Sequence, residues 1–175
     1  MKKIFGSLVA LMLLTAGCGY TTSSLLPSHL KTIFVKPVEN KIDYMNQDER
    51  KLYVPGMETR VRTALIDRFL FDGNLRVGDQ ETSDLIIDAK LISFDREELR
   101  LAENQDVKEY RLRVTVSLKA VDHVEGDKVL WEESAFSGES TYYVSGPLAK
   151  SESVAIEDAF KDLAQRAVAR TVENW

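Results

Sequence analysis

Apolar and polar residues alternate most regularly between Tyr110 and Ala120, where Tyr110, Leu112, Val114, Val116, Leu118 and Ala120 are separated by Arg111, Arg113, Thr115, Ser117 and Lys119. Successive side chains of a strand point to opposite faces, so this period of two predicts a strand with one buried and one solvated face. Upstream, Leu85-Ile86-Ile87-Asp88-Ala89-Lys90-Leu91-Ile92-Ser93-Phe94 predicts a long strand that continues to Leu101 and turns at Glu103-Asn104-Gln105-Asp106. Downstream, Glu125-Gly126-Asp127 marks a hairpin into another long strand over residues 128–144, broken by Gly146-Pro147. Within it, Val129, Trp131 and Ala135 are expected on one side and Leu130 and Phe136 on the other. Thr32-Ile33-Phe34-Val35 and Leu75-Arg76-Val77 predict two short strands, the first stopped or held at an edge by Pro37.

Elsewhere the period is that of a helix. Met57, Val61, Ala64, Leu65 and Phe69 recur at three- and four-residue spacing, with Pro55 expected in the first turn and Asp72-Gly73-Asn74 as the stop. Ser151 is placed to cap a final helix whose apolar stripe is Ile156, Phe160, Leu163, Ala167 and Val168, with Glu152, Glu157 and Asp158 near its positive end. The stretch from Glu39 to Lys51 lacks either period and reads as a mobile loop. The order is therefore strand, helix, four strands, helix. A sheet with one apolar face needs a cover, and these two helices supply it. The expected fold is α+β, a two-layer sandwich of a mostly antiparallel or mixed sheet of four to five strands under two helices.

The first residues belong to a different pattern. Lys2 and Lys3 precede an apolar run from Ile4 to Leu14, which ends in Thr15-Ala16-Gly17-Cys18-Gly19. A basic start, a short apolar stretch and small residues before the cleavage point make a secretory signal, and the run falls short of the ~20 residues a spanning helix requires. The chain's single cysteine stands where lipid is attached in bacterial lipoproteins. Residues 1–17 are thus read as a signal peptide, 18–30 as a lipidated tether and 31–175 as one domain. Thr15 departs from the Leu more usual three residues before the lipidated Cys18. Gly19, in place of Asp, resembles the sorting pattern of outer-membrane lipoproteins, which predicts a lipid-anchored position on the periplasmic face. Each buried methylene contributes about 0.8 kcal/mol, so several acyl chains on Cys18 would hold the chain firmly on one leaflet.

Composition narrows the chemistry. The net charge of −5 becomes more negative once Lys2 and Lys3 are removed, which argues against a nucleic-acid partner. With one cysteine there is no internal disulfide, and stability must come from packing. Two histidines, His29 in the tether and His123 beside a hairpin, form no metal-ligand or acid–base cluster, and no glycine-rich phosphate loop is present. Neither a catalytic residue nor a metal or other cofactor is expected. Glu97 and Glu98 are strand neighbours that point apart, and Gly138-Glu139-Ser140-Thr141-Tyr142 lacks the second glycine of a nucleophile elbow. Asp122, Glu125 and Asp127 lack calcium-loop spacing. The Tyr142-Tyr143 pair reads either as an exposed aromatic anchor or as half-buried strand packing. A lipid-anchored hydrolase using His123 or Ser140 is the weakest of the available readings.

The basic residues offer more. Arg96 and Arg100 on one long strand, Arg111 and Arg113 on the next and Lys150 after the last are candidates to gather where strand ends meet, and arginine's planar fork suits phosphate. The plainer reading pairs them across strands with Glu97, Glu98, Glu103 and Glu109.

Several segments together resemble one family. Ala16-Gly17-Cys18-Gly19-Tyr20, the Ile33-Phe34-Val35 strand with Pro37 and Asn40 after it, Glu109-Tyr110-Arg111-Leu112 and Pro147-Leu148-Ala149-Lys150 are similar, in order and spacing, to the LPS-assembly lipoprotein family LptE. The resemblance implies a non-enzymatic sandwich that plugs and stabilises an LptD-like outer-membrane β-barrel and takes part in lipopolysaccharide transport. It also implies contact with lipopolysaccharide through Lys150 and, less directly, Arg100, with Arg111 and Arg113 as further candidates. The turn from Glu103 to Asp106 differs in length from the family pattern, and the loop from Glu39 to Lys51 is longer. The alternative is a free-standing envelope lipoprotein that binds lipid or has a structural role without a barrel partner.

Overall fold

The structure, a computed structural model, describes residues 26–43 and 54–173. The signal peptide, Cys18, the tether up to residue 25, most of the 39–51 loop and the terminal Asn174-Trp175 lie outside the described residues. The elements are β1 (Thr32–Val35), β2 (Glu39–Asn40), α1 (Met57–Asp72), β3 (Arg76–Val77), β4 (Leu85–Leu101), β5 (Val107–Asp122), β6 (Lys128–Tyr143) and α2 (Glu152–Glu173). The strands form one mixed sheet in the order β3-β1-β4-β5-β6, with β2 beside β4. The expected α+β two-layer sandwich is what the chain forms.

Three expectations are corrected at the edges. The stretch from Glu39 does not begin as a loop: Glu39 and Asn40 pair in parallel with Lys90 and Leu91. The backbone N–H groups of Lys36 and Lys41 donate to Ile87 and Leu91, so the β1 track resumes beyond Pro37, which has no N–H to give. The domain also begins before Lys31, because Leu30 is buried and Leu26 packs on the core. Finally, Pro55 and Gly56 form a turn before α1 and are not part of its first turn. The other end of α1 follows expectation: Gly73, at φ 76°, donates its N–H to Phe69.

β-bulges reassign the faces of two long strands. On β6, Val116 pairs with Phe136 and Leu118 with Glu133, so three steps on β6 oppose two on β5. A second irregularity follows between Ala120 and Val121, whose partners are Trp131 and Val129. Because a one-residue insertion inverts every later side chain, Trp131 and Phe136 share the helix-covered face, their rings 6.4 Å apart, and Val129 is turned to the other. This overturns the simple alternation expected for the strand. A similar bulge between Leu91 and Ser93 lets Leu85, Ile87, Ala89, Leu91 and Phe94 all reach the core.

α1 buries Met57, Val61, Leu65 and Phe69, and α2 buries a broader face that includes four alanines, Ala155, Ala159, Ala164 and Ala167. Those small residues let α2 sit very close to β6. A Cβ built on Gly138 would lie 2.4 Å from the Leu163 backbone nitrogen and 2.6 Å from the Ala159 carbonyl oxygen. Polar bonds flank this contact: the Ser140 hydroxyl donates to the Ala155 carbonyl, and the Glu139 N–H donates to Asp162 at 2.9 Å. The second of these occupies a backbone donor on the outer edge of β6. Gly138→Ala should therefore lower unfolding free energy by about 3 kcal/mol, the upper range for overpacking, measured by urea denaturation. A change below about 0.5 kcal/mol would mean that the helix can shift away without loss.

Candidate functional site

The two ends of the sheet differ in character. At one end the N-terminal segment joins the domain. Asp84 accepts the backbone N–H groups of Lys31 and Thr32 and the Thr32 hydroxyl, at 2.8, 2.9 and 2.9 Å. His29, expected in a free tether, is instead bonded to the Asp122 carboxylate at 2.6 Å. Asp122 is 1% exposed and also accepts the N–H groups of Val124 and Glu125. Burial raises its pKa, but the hydrogen bonds from His29 and the backbone, with the charge of His29, outweigh that and hold the carboxyl below its ordinary range. Ligand atoms of His29, Asp122 and Glu125 lie within 4.8 Å of one another. Since both oxygens of Asp122 already accept protein hydrogen bonds, the trio reads as a latch that fixes where the chain enters.

At the other end the β4–β5 hairpin outruns its neighbours. β4 has its last partner on the β1–β2 side at Leu91, so residues 92–101 pair with β5 alone. β5 rises about 3.3 Å per residue over its 16 residues, which puts this tip about 50 Å from Asp122. The row Arg100, Glu109, Tyr143, Ala149 crosses the tip from β4 to the segment before α2. Around it, Leu99, Leu101, Val144, Leu148 and Val154 are exposed, with Leu101 at 54% and Leu148 at 73%. Arg100, Lys108 and Lys150 stand among them.

The structure does not gather the basic candidates into one cluster. Arg111 and Arg113 lie on the open face of the sheet between Glu97 and Glu139: Arg113 is 2.7 Å from Glu139 and 3.6 Å from Glu97, and Arg111 is 3.7 and 4.0 Å from the same two. The hydrogen bond to Glu139 raises the Arg113 pKa against the opposing effect of burial. Two cations and two carboxylates leave this quartet neutral, and pairs so exposed contribute about 0–1 kcal/mol each. Arg100 lies 3.0 Å from the buried Glu109, and Lys150 donates to Asp158 at 2.6 Å. Three strand spacings separate Arg100 from the Ala149 position, about 14 Å. Cross-strand pairing therefore describes Arg100, Arg111 and Arg113 better than convergence.

Arg96 is different again, and its role was not anticipated. It sits on the helix-covered face, its guanidinium 5.0 Å from the centre of the Tyr110 ring and 3.1 Å from Glu152 at the start of α2. Tyr110 stacks on Tyr142 at 5.5 Å. Burial opposes the Arg96 charge, but Glu152 and the two tyrosines more than compensate. Burial, with Glu152 beside it, pushes the Tyr142 phenol pKa up. Tyr142 is thus buried packing that braces α2 on the sheet, not an exposed anchor. The only sequence sign of this was three aromatic or cationic residues on three elements, which register alone brings together.

Nothing among these groups forms a reaction centre. The Ser140 hydroxyl is bonded to the Ala155 carbonyl, while His123 pairs with Asp127 at 2.7 Å. Their neighbours on β5, Leu112 and Asp122, are about 30 Å apart along the strand. Among the described residues, no helix is long and apolar enough to cross a membrane.

A sheet braced on one face, with paired cations and an apolar tip, is the architecture of a binding or assembly module. The sequence matches the LptE family, described as lipopolysaccharide-assembly, over residues 30–171, and the chain belongs to that family. The family is one of non-enzymatic lipopolysaccharide-assembly lipoproteins. A search of curated proteins returns no match. Among solved structures, the fold is similar to the hypothetical protein CT253 from Chlamydia trachomatis, at TM-score 0.55 and 9% identity over 81% of this chain and 98% of that one. It is also similar to protein XCC0632 from Xanthomonas campestris, at TM-score 0.53 and 12% identity over 86% and 90%.

The latch carries a signed pH dependence. Because the folded pKa of Asp122 is depressed, its contribution is complete above the unfolded value of about 3.9 and is lost as pH falls through the folded value. Asp122→Asn should cost about 2 kcal/mol at pH 7, and the gap from the unsubstituted protein should narrow below about pH 4. Thermal denaturation across pH 2–7 reads this directly; a gap that stays constant would place the stabilisation elsewhere.

Proposed function

We propose that this chain is an outer-membrane lipoprotein subunit of the lipopolysaccharide-export translocon, anchored through lipid on Cys18 and docked as a plug in an LptD-like β-barrel that it stabilises. Lipopolysaccharide is met at the tip of the β4–β5 hairpin. The observation that carries this reading is the company kept there: exposed Leu99, Leu101, Leu148 and Val154 beside Arg100 and Lys150, which suits a ligand with both acyl chains and phosphates. The tip lies at the far end of the sheet from His29, and the residues from Cys18 to His29 span at most about 40 Å. A polar sheet face of strands this long also suits the polar interior of a large barrel.

Since Arg100 and Lys150 are each paired with a carboxylate, phosphate binding is an exchange of partners. Arg100→Gln with Lys150→Gln should weaken lipopolysaccharide binding at least tenfold, about 1.4 kcal/mol, with a native circular dichroism spectrum but a lower melting temperature, because the buried Glu109 loses its partner. Glu109→Gln, which releases Arg100, should tighten it severalfold. Surface plasmon resonance on the three proteins distinguishes these, and unchanged affinity in both would remove the tip from the site. The barrel partnership is tested separately, by affinity purification of the full-length chain from mildly solubilised envelopes. A large barrel in near one-to-one amount is expected. Recovery of the chain alone, where other barrel complexes survive, would favour a free-standing envelope lipoprotein.

A further inference from the structure

The outward faces of α1 and α2 leave a groove between them of about 560 Å³, within the range of small-molecule pockets. Its walls are small or apolar where the helices approach, at Thr63, Ala64 and Ala164, and Phe71 closes one end with its ring 80% exposed. Arg60 and Glu157 face each other across it at 2.6 Å and neutralise one another. Arg68 and Lys161, by contrast, have no carboxylate within ion-pair distance among the described residues, and Asp67 has no cation within that distance. The groove therefore offers two unpaired cations against one unpaired carboxylate. Arg68 is half-buried: its Nε is shielded from solvent and has no acceptor, while the guanidinium lies 5.1 Å from the centre of the Phe71 ring.

We infer that this groove is a binding site for a single-chain anionic amphiphile, whose head group is held by Arg68 and Lys161 and whose alkyl chain lies along Ala64, Ala164 and Phe71. Charge complementarity selects the anion, because an exposed large apolar ring next to two unpaired cations, Arg68 and Lys161, matches a ligand that is apolar along its length and oxyanionic at one end. The volume suits one alkyl chain. The site is on the helical layer, apart from the Arg100 and Lys150 tip, and it does not depend on a barrel partner. The head group's chemistry, carboxylate or phosphate, distinguishes a free fatty acid from a lysophospholipid.

The test uses the full-length lipoprotein in lipid nanodiscs with two photo-crosslinkable probes, a diazirine-bearing dodecanoate and the corresponding dodecyl phosphate. Saturable labelling of peptides within residues 59–71 and 157–165, competed by unlabelled dodecanoate or dodecyl phosphate, is expected, and the stronger probe identifies the head group. Arg68→Gln with Lys161→Gln should reduce labelling about tenfold, and Ala64→Trp, which fills the groove, should abolish it. Lys161 is exposed and Arg68 half-exposed on the helix surface, so that variant should stay folded even if the tryptophan is not tolerated. No labelling of these peptides, or labelling that neither variant changes, overturns the inference. Labelling confined to the tip around Arg100 and Lys150 overturns it too, yet leaves the translocon reading standing.

Discussion

The close seating of α2 on β6 at Gly138 is the constraint on which the remaining geometry rests. With Leu163 and Ala159 backbone atoms where a side chain would begin, the helix axis is held at a distance that only glycine on one side and alanines on the other permit. From that contact α2 extends in both directions. Toward the tip it brings Glu152 to Arg96 and so to the stacked Tyr110 and Tyr142. Toward the other end it closes the core over Trp131 with Val168 and Val172, all within one buried cluster. At about 33 Å, a single helix thus braces the middle of the long strands from the Arg96 row to Trp131, and the tip extends beyond it as a strand pair.

Long strands have a second problem, which the bulges solve. The strands on either side of β5, 17 and 16 residues long, do not keep strict alternation along their whole length. The insertions between Leu91 and Ser93 on β4 and near Glu133 on β6 reset the alternation, so core residues on both strands flanking β5 stay aligned with it. β5 lies between the other two long strands, and its alternation from Leu112 to Ala120 stays regular. Bulges along β4 also disturb the outer edge of its unpaired half, which discourages another strand from adding there.

This explains which features were legible in sequence. β5 was readable residue by residue because its pattern has no interruption. The helices were readable because Met57, Val61, Leu65 and Phe69, and Ile156, Phe160 and Leu163, keep helical spacing, and the stop at Gly73 is chemically explicit. Trp131 and Phe136 were misassigned because a bulge has no composition of its own on β6; it exists only in the pairing of two strands. β2 was missed for a related reason: two residues become a strand only because Lys90 and Leu91 offer them an edge. Among site candidates, the pairing of Arg111 and Arg113 with acidic neighbours followed from cross-strand logic. The isolation of Lys150 from Arg100 did not, since the lateral distance across a sheet is invisible in a linear chain.

The ion pairs distinguish the tip from the open face of the sheet. On the open face the Glu97, Glu139, Arg111 and Arg113 quartet is complete in itself, and an incoming phosphate would have to break two-sided pairing to use either arginine. Arg100 and Lys150 are each held by one carboxylate, and Arg100 is 65% exposed. Its partner Glu109 is buried, and the Glu109 oxygen near the guanidinium accepts no well-formed hydrogen bond. Removing Arg100 altogether would strand that buried charge, whereas a ligand phosphate can share the guanidinium, because a planar fork donates from more than one edge. The same argument separates the tip from the helical groove. At the tip, charges are paired and binding must compete with a protein carboxylate, which favours a multiply charged ligand. In the groove, Arg68 and Lys161 have no ion-pair partner among the described residues, so the inferred single-charged head group would meet less competition.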